Sequence, residues 1–157
     1  MIAVIPMAMA HIEAVYAIEC HSFSDPWPIE EIQFEMEQKH NISIVALAGG
    51  EVAGYAIMRH VVNEGHICNI AVHEDYRQKG IGSAIVKGLI AAAKDHEMIG
   101  ITLEVRIGNR AAMALYHRHG FIVEGYRRGY YKNPTEDAAI MWKYSKINEK
   151  QSPSEPK

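Results

Sequence analysis

Arg77-Gln78-Lys79-Gly80-Ile81-Gly82 follows an apolar run of extended character, Ile67-Cys68-Asn69-Ile70-Ala71-Val72, and opens a stripe of apolar residues at helical spacing: Ile81, Ala84, Ile85, Leu89 and Ala92. The stretch therefore reads as the turn between a strand and a helix. Glycine reaches φ > 0 and lets a ligand approach the main chain closely, so Gly80 and Gly82 would leave a row of amide N–H groups at the positive end of that helix. Such a turn suits an anion of the phosphate or pyrophosphate kind. It lacks the third glycine of a dinucleotide fingerprint and the Gly-Lys-Ser/Thr ending of a P-loop. On this stretch alone an anion site and a plain connecting turn both stand.

Working outward, Gly100 precedes Ile101-Thr102-Leu103-Glu104-Val105, a second strand, so strand, helix and strand form a parallel βαβ unit. Upstream, the β-rich runs Ile42 to Ala48 and Val52 to Arg59 flank Gly49-Gly50 and predict an antiparallel hairpin, with Asn63-Glu64-Gly65 turning the chain into the strand His66 to Val72. The sheet must then be mixed. A short strand Ile2 to Ile5 and a helix over Ala8 to Cys20 come first. Pro28 opens a second helix carrying Ile29, Ile32 and Met36 on one face. Asn109 is a good N-cap for a helix bearing Ala112, Leu115 and Tyr116, which Gly120 stops. Phe121 to Tyr126 and Ala138 to Tyr144 read as a last pair of strands around a polar connection, Arg127 to Asp137.

The chain has 157 residues, 48% of them hydrophobic, which fits one domain over residues 1–145 with a polar tail, 146–157, expected to be disordered. A net charge of -3 from 16 basic and 19 acidic residues mixed along the chain provides no basic field for nucleic acid. Two cysteines, Cys20 and Cys68, suit free thiols in a reducing, cytoplasmic compartment. The apolar start lacks a basic n-region, and no segment approaches ~20 consecutive apolar residues, so neither secretion nor a membrane span is expected. The nine histidines form no His-x-x-x-His pair, and no metal is expected.

Glu104 lies between Leu103 and Val105, where an unpaired carboxylate is costly to bury. One explanation is a salt bridge to Arg106, two residues on along the same face. The other is a general base whose pKa an apolar surrounding raises toward neutrality. Tyr116 shares the face of Ala112 and Leu115, as a core tyrosine would, yet its hydroxyl needs a partner. Phe23 and Trp27, in the proline-rich segment between the first two helices, either plug the core or wall a substrate.

The series Asn69-Ile70-Ala71-Val72, Arg77-Gln78-Lys79-Gly80-Ile81-Gly82, Leu103-Glu104-Val105-Arg106, Asn109, Ala114-Leu115-Tyr116 and Gly120-Phe121 resembles, in order and spacing, the GCN5-related N-acetyltransferases. With Phe23-Ser24-Asp25-Pro26-Trp27 and Arg127-Arg128-Gly129-Tyr130-Tyr131, the chain is similar in particular to the RimI branch. Members of that branch acetylate the N-terminal alanine of a small-subunit ribosomal protein. The resemblance implies an α/β fold with a mixed, splayed sheet of about seven strands, and acetyl coenzyme A as cosubstrate. It implies that Gln78, Lys79, Gly80, Ile81 and Gly82, with Arg77, hold the pyrophosphate. Ile70, Ala71 and Val72 would pair with the pantetheine amides, and Asn109 would fix the thiol end. Glu104 would be the base and Tyr116 the acid, with Phe23, Trp27, Tyr130 and Tyr131 on the substrate side. Pro28 stands where the branch would have Ser, and Gly129 where Asn is common. Both departures bear on the acceptor. A lysine side chain or small amine as acceptor, and a non-catalytic acyl coenzyme A sensor, remain the alternatives.

Overall fold

The computed structural model describes residues 1–145; the expected disordered tail, 146–157, lies outside them. Seven strands form one sheet: β1 (Ile2–Pro6), β2 (Ile42–Ala48), β3 (Glu51–Val61), β4 (Glu64–Val72), β5 (Gly100–Arg106), β6 (Ile122–Tyr131) and β7 (Glu136–Tyr144), in the order β1-β2-β3-β4-β5-β7-β6. The helices are α1 (Ile12–Ser22), α2 (Ile29–Glu37), α3 (Ile81–Asp95) and α4 (Arg110–Arg118). Gly49 and Gly50 both take positive φ, 59° and 87°, as the expected two-residue hairpin turn requires.

Strand alternation sorts the apolar residues into two cores. Val45, Tyr55 and Ile57 face α1 and α2, packing on Ile12, Val15, Ile18 and Ile32. Ile44, Ala46, Ala56 and Met58 face the other way and meet Ile81, Ile85 and Leu89 of α3. Burying each of these large side chains stabilises the fold by about 1.5–3 kcal/mol. Ile101, Leu103 and Val105 belong to the α3 side, together with Tyr116 and Phe121. Thr102, Glu104 and Arg106 alternate to the opposite face.

All pairs are antiparallel except β4 with β5, and that parallel pairing is short, covering only Glu64–Ile67 against Gly100–Leu103. Beyond it the two strands part and the sheet forks. At the same point the β3–β4 register shifts: Met58 pairs with Ile67 and Ile57 with Asn69, so Cys68 is the extra residue of a β-bulge. Residues 69–72 therefore keep β3 on one side and present a free main-chain edge on the other.

The last hairpin departs from expectation. β6 runs on through Arg127 to Tyr131, within the segment expected to be a polar connection. A register shift between Arg127 and Tyr131 absorbs the polar residues, with Gly129 at φ 60° and its N–H donating to Asp137 Oδ1 at 2.8 Å. The polar segment is thus a bulged strand.

Candidate active site

The turn after β4 joins strand to helix as expected. Gln78 and Gly80 carry the positive φ values, 61° and 86°, and Gly80 is the N-cap of α3. Gly82 lies in the first turn of the helix, where its lack of a side chain also serves close packing: a Cβ there would stand 3.0 Å from Leu115 Cδ2 and 3.8 Å from Val72 Cγ2. The missing side chain lets α3 approach α4 and the end of β4. Arg77, Gln78, Lys79 and Gly80 are exposed, whereas the Ile81 side chain is core, so Ile81 can offer a ligand only its main chain. An open helix N-terminus flanked by two cations, beside a free strand edge, fits a ligand with a pyrophosphate and an amide-bearing arm.

At the fork the strands and loops enclose a cavity of about 540 Å³. It brings together Glu104, Tyr116, Asn109, Ile70 and all four aromatic residues expected on the substrate side, Phe23, Trp27, Tyr130 and Tyr131. Ala71, Val72 and the turn 77–82 do not line it and lie along the free edge and the α3 N-terminus. The two aromatic segments are tied across the mouth, Asn133 Nδ2 donating to both carboxylate oxygens of Asp25 at 3.1 and 3.0 Å. Tyr130 and Tyr131 pack edge to face, with centroids 5.0 Å apart.

Glu104 does not pair with Arg106. The guanidinium of Arg106 is taken by the β6–β7 hairpin: it bonds Glu136 Oε1 (3.1 Å) and the carbonyls of Lys132 and Pro134, and stacks on Tyr131. The partner of Glu104 is His66, whose Nε2 lies 2.8 Å from Oε1; Arg127 Nε is 3.4 Å from Oε2. The expectation of a raised pKa is corrected accordingly. The His66 hydrogen bond holds the Glu104 carboxyl below the usual range, outweighing burial, with the charges of His66 and Arg127 adding to it. The Cys68 thiol and the Glu104 carboxylate in turn push His66 up to about 9.

Tyr116 is 5% exposed, and its hydroxyl has no hydrogen-bond partner among the described residues. Burial, with a smaller contribution from Tyr131, pushes the phenol well up, so it keeps its proton across the working pH range. Asn109 caps α4, its Oδ1 accepting from Ala112 N–H at 3.1 Å, which leaves the amide NH₂ free to face the cavity.

Two residues of the cavity escaped the sequence reading. Glu19 is 1% exposed and accepts from Trp27 N–H (2.9 Å), Asn69 Nδ2 (2.7 Å) and the Tyr55 hydroxyl, tying the aromatic loop to β3 and β4. Burial raises its pKa despite those donors. A carboxylate on the apolar stripe of α1, beside Ile18, was the available signal. His66 had none, since its meeting with Glu104 depends on where β4 and β5 pair.

The model of the acetyltransferase (GNAT) family matches residues 12–121. The chain is 34% identical over 130 residues to the ribosomal protein bS18-alanine N-acetyltransferase of Escherichia coli, covering 82% of this chain and 87% of that one. It is 36% identical over 121 residues to the N-alpha-acetyltransferase RimI of Mycobacterium tuberculosis, covering 74% and 75%. The crystal structure of the Escherichia coli ribosomal-protein-S18-alanine N-acetyltransferase superposes with a TM-score of 0.85 at 31% identity, over 92% of this chain and 94% of that one. With the family model spanning most of the fold and the forked sheet at its centre, the chain belongs to the GNAT family of acetyltransferases.

Proposed function

We propose that this protein transfers the acetyl group of acetyl coenzyme A to the α-amine of an N-terminal alanine, as on a small-subunit ribosomal protein, by direct transfer in a ternary complex. The observation that carries the proposal is the cavity at the fork. It sets an anchored carboxylate and a partnerless phenol in one space, under aromatic loops tied together at the mouth. Bound acetyl coenzyme A would supply an activated acyl thioester. The amides of Gln78 to Gly82 would hold its pyrophosphate, with Arg77 and Lys79 balancing the charge. The free edge Ile70 to Val72 would pair with its amides, Asn109 would fix the thiol end, and an edge amide at Ala71 or Val72 would stabilise the oxyanion.

With Oε1 held by His66 at 2.8 Å, Oε2 of Glu104, in the longer 3.4 Å contact with Arg127 Nε, would be the oxygen that orients the acceptor amine and takes its proton, directly or through water. Tyr116 donates to the departing sulfur. An α-amine, with a pKa near 8, is partly neutral at pH 7; a lysine amine, near 10.4, must give up about 3 kcal/mol more to become a nucleophile. The loops favour a chain end further, because an internal lysine brings its flanking main chain against Phe23, Trp27, Tyr130 and Tyr131.

The test is acetylation of a peptide with a free N-terminal alanine beside the same peptide blocked at its N-terminus and carrying internal lysines. Acetylation of the first alone, read by mass spectrometry, is expected. Equal rates would replace this reading with a lysine acetyltransferase, and coenzyme binding without turnover of any amine would replace it with a sensor.

A further inference from the structure

Three side chains at the fork form a chain of contacts that amine acetylation does not use as a whole. Cys68 Sγ lies 3.9 Å from His66 Nδ1, and His66 Nε2 lies 2.8 Å from Glu104 Oε1. All three line the cavity. With a value of about 9 the His66 ring is an imidazolium at neutral pH: Nε2–H donates to the Glu104 carboxylate and Nδ1–H lies on the side of the Cys68 sulfur, whose thiol at rest donates to the His66 carbonyl at 3.5 Å. A thiol beside a cationic histidine, with the histidine oriented by a carboxylate, is a setting that favours the nucleophilic thiolate, and such contacts are often long before a substrate enters. Cys68 owes its place to the β-bulge, which inserts it where β4 loses β5 as a neighbour. The groups form a line and do not converge on a point: among the described residues no three His, Cys, Asp or Glu side chains are placed to hold a metal ion.

We propose that Cys68 is a second acyl acceptor of this cavity, taking the acetyl group from acetyl coenzyme A by thiol–thioester exchange when no amine is present, with the His66 imidazolium holding the attacking thiolate and Glu104 positioning His66. The proposal rests on the coenzyme reading given above. In the exchange, the Cys68 thiol gives its proton to solvent, the thiolate sulfur beside His66 Nδ1–H bonds the acetyl carbon, and the carbon–sulfur bond to coenzyme A breaks. The coenzyme thiolate then takes a proton from solvent. One thioester is consumed and one formed, so no further reactant is needed. Cys20, the other free cysteine, is exposed and meets the Tyr16 phenol, with no histidine against its sulfur among the described residues, which makes it the internal control.

The experiment incubates the full chain with acetyl coenzyme A and no amine, then follows intact mass and peptide maps. Expected is a single acetyl group on Cys68, removed by neutral hydroxylamine as a thioester would be, absent in Cys68→Ala, and forming at least ~100-fold more slowly in His66→Asn. A second measurement needs no coenzyme chemistry. Iodoacetamide should alkylate Cys68 faster than the more exposed Cys20, bound coenzyme should protect Cys68, and His66→Asn should remove its advantage. Calorimetric binding of acetyl coenzyme A without a hydroxylamine-labile acetyl overturns the proposal while leaving the coenzyme site intact. Label on Cys20, or an unchanged rate in His66→Asn, overturns it as well, and failure of the coenzyme to bind takes the site and the proposal together.

Discussion

Replacing Glu104 by Gln removes the negative charge from the His66 contact while keeping the side-chain volume, and its effect on stability follows from the geometry. His66 moves from an ordinary 6.5 to about 9 in the folded chain. At 1.36 kcal/mol per unit the rise corresponds to a ceiling of about 3 kcal/mol for the Cys68 contact, the larger cause, and the Glu104 contact together. The imidazole is 33% exposed, so sharing and solvent screening leave roughly 1 kcal/mol for Glu104. The lowered Glu104 reports the same contact from its other end and adds nothing to this figure. A raised histidine contributes fully below its unfolded value of 6.5 and loses its contribution as pH rises through about 9. A depressed carboxyl contributes above its unfolded value of 4.5 and loses its contribution as pH falls through its lower folded value. The pair therefore stabilises most between about pH 4.5 and 6.5. Urea unfolding of the parent and Glu104→Gln at fixed ionic strength should show a loss of roughly 1 kcal/mol near pH 6, shrinking to a few tenths near pH 10. The His66 ring should titrate lower in the variant than in the parent, keeping the part of its rise that the Cys68 contact supplies. A loss as large at pH 10 as at pH 6 would refute the reasoning and make Arg127 the real partner of Glu104.

Tyr116→Phe removes a hydroxyl that bonds nothing in the resting protein, so stability should change by less than about 0.5 kcal/mol while kcat falls roughly 10²- to 10⁴-fold; near-normal turnover would return Tyr116 to a packing role. Lys79→Glu reverses an exposed charge at the α3 turn and should weaken acetyl coenzyme A binding roughly tenfold at low salt, less at high salt. Unchanged calorimetric affinity would move the pyrophosphate elsewhere. Glu19→Ala strips the acceptor from Tyr55, Asn69 and Trp27 N–H and should cost about 2–4 kcal/mol in thermal or urea unfolding, because the Tyr55 hydroxyl is left buried without a partner. A variant as stable as the parent would show that the three donors find other acceptors.

Most of the fold was legible because it rests on local signals. Paired glycines fixed the β2–β3 hairpin, helical spacing after Gly80 fixed α3, and a strand on each side of that helix required a parallel pair within an otherwise antiparallel sheet. The hairpin β6–β7 was shortened in the sequence reading because Arg127 to Asp137 is polar. Polarity is no bar to strand formation at a sheet edge, where side chains reach water on both faces and one glycine at positive φ can absorb an irregular register.

The active-site chemistry was legible by residue type, while the pairing between residues was hidden. Glu104 was found because a carboxylate in an apolar strand calls for a partner, yet the nearest cation in sequence, Arg106, was the wrong one. Three competing acceptors decide this: Glu136 and the carbonyls of Lys132 and Pro134 arrive from a hairpin about thirty residues away and satisfy the Arg106 guanidinium, leaving Glu104 to His66 across the strand gap. That exchange inverts the electrostatics. An apolar pocket would have raised the carboxyl, whereas a cation 2.8 Å away lowers it. A depressed carboxyl attracts an ammonium more strongly and removes its proton less readily. The rate of amine acetylation should therefore follow the deprotonation of the acceptor amine itself, near pH 8, and no Glu104 step should appear between pH 5 and 7. A pH–kcat/KM profile with an inflection in that lower range would mean that Glu104 titrates there, and that bound coenzyme breaks its contact with His66.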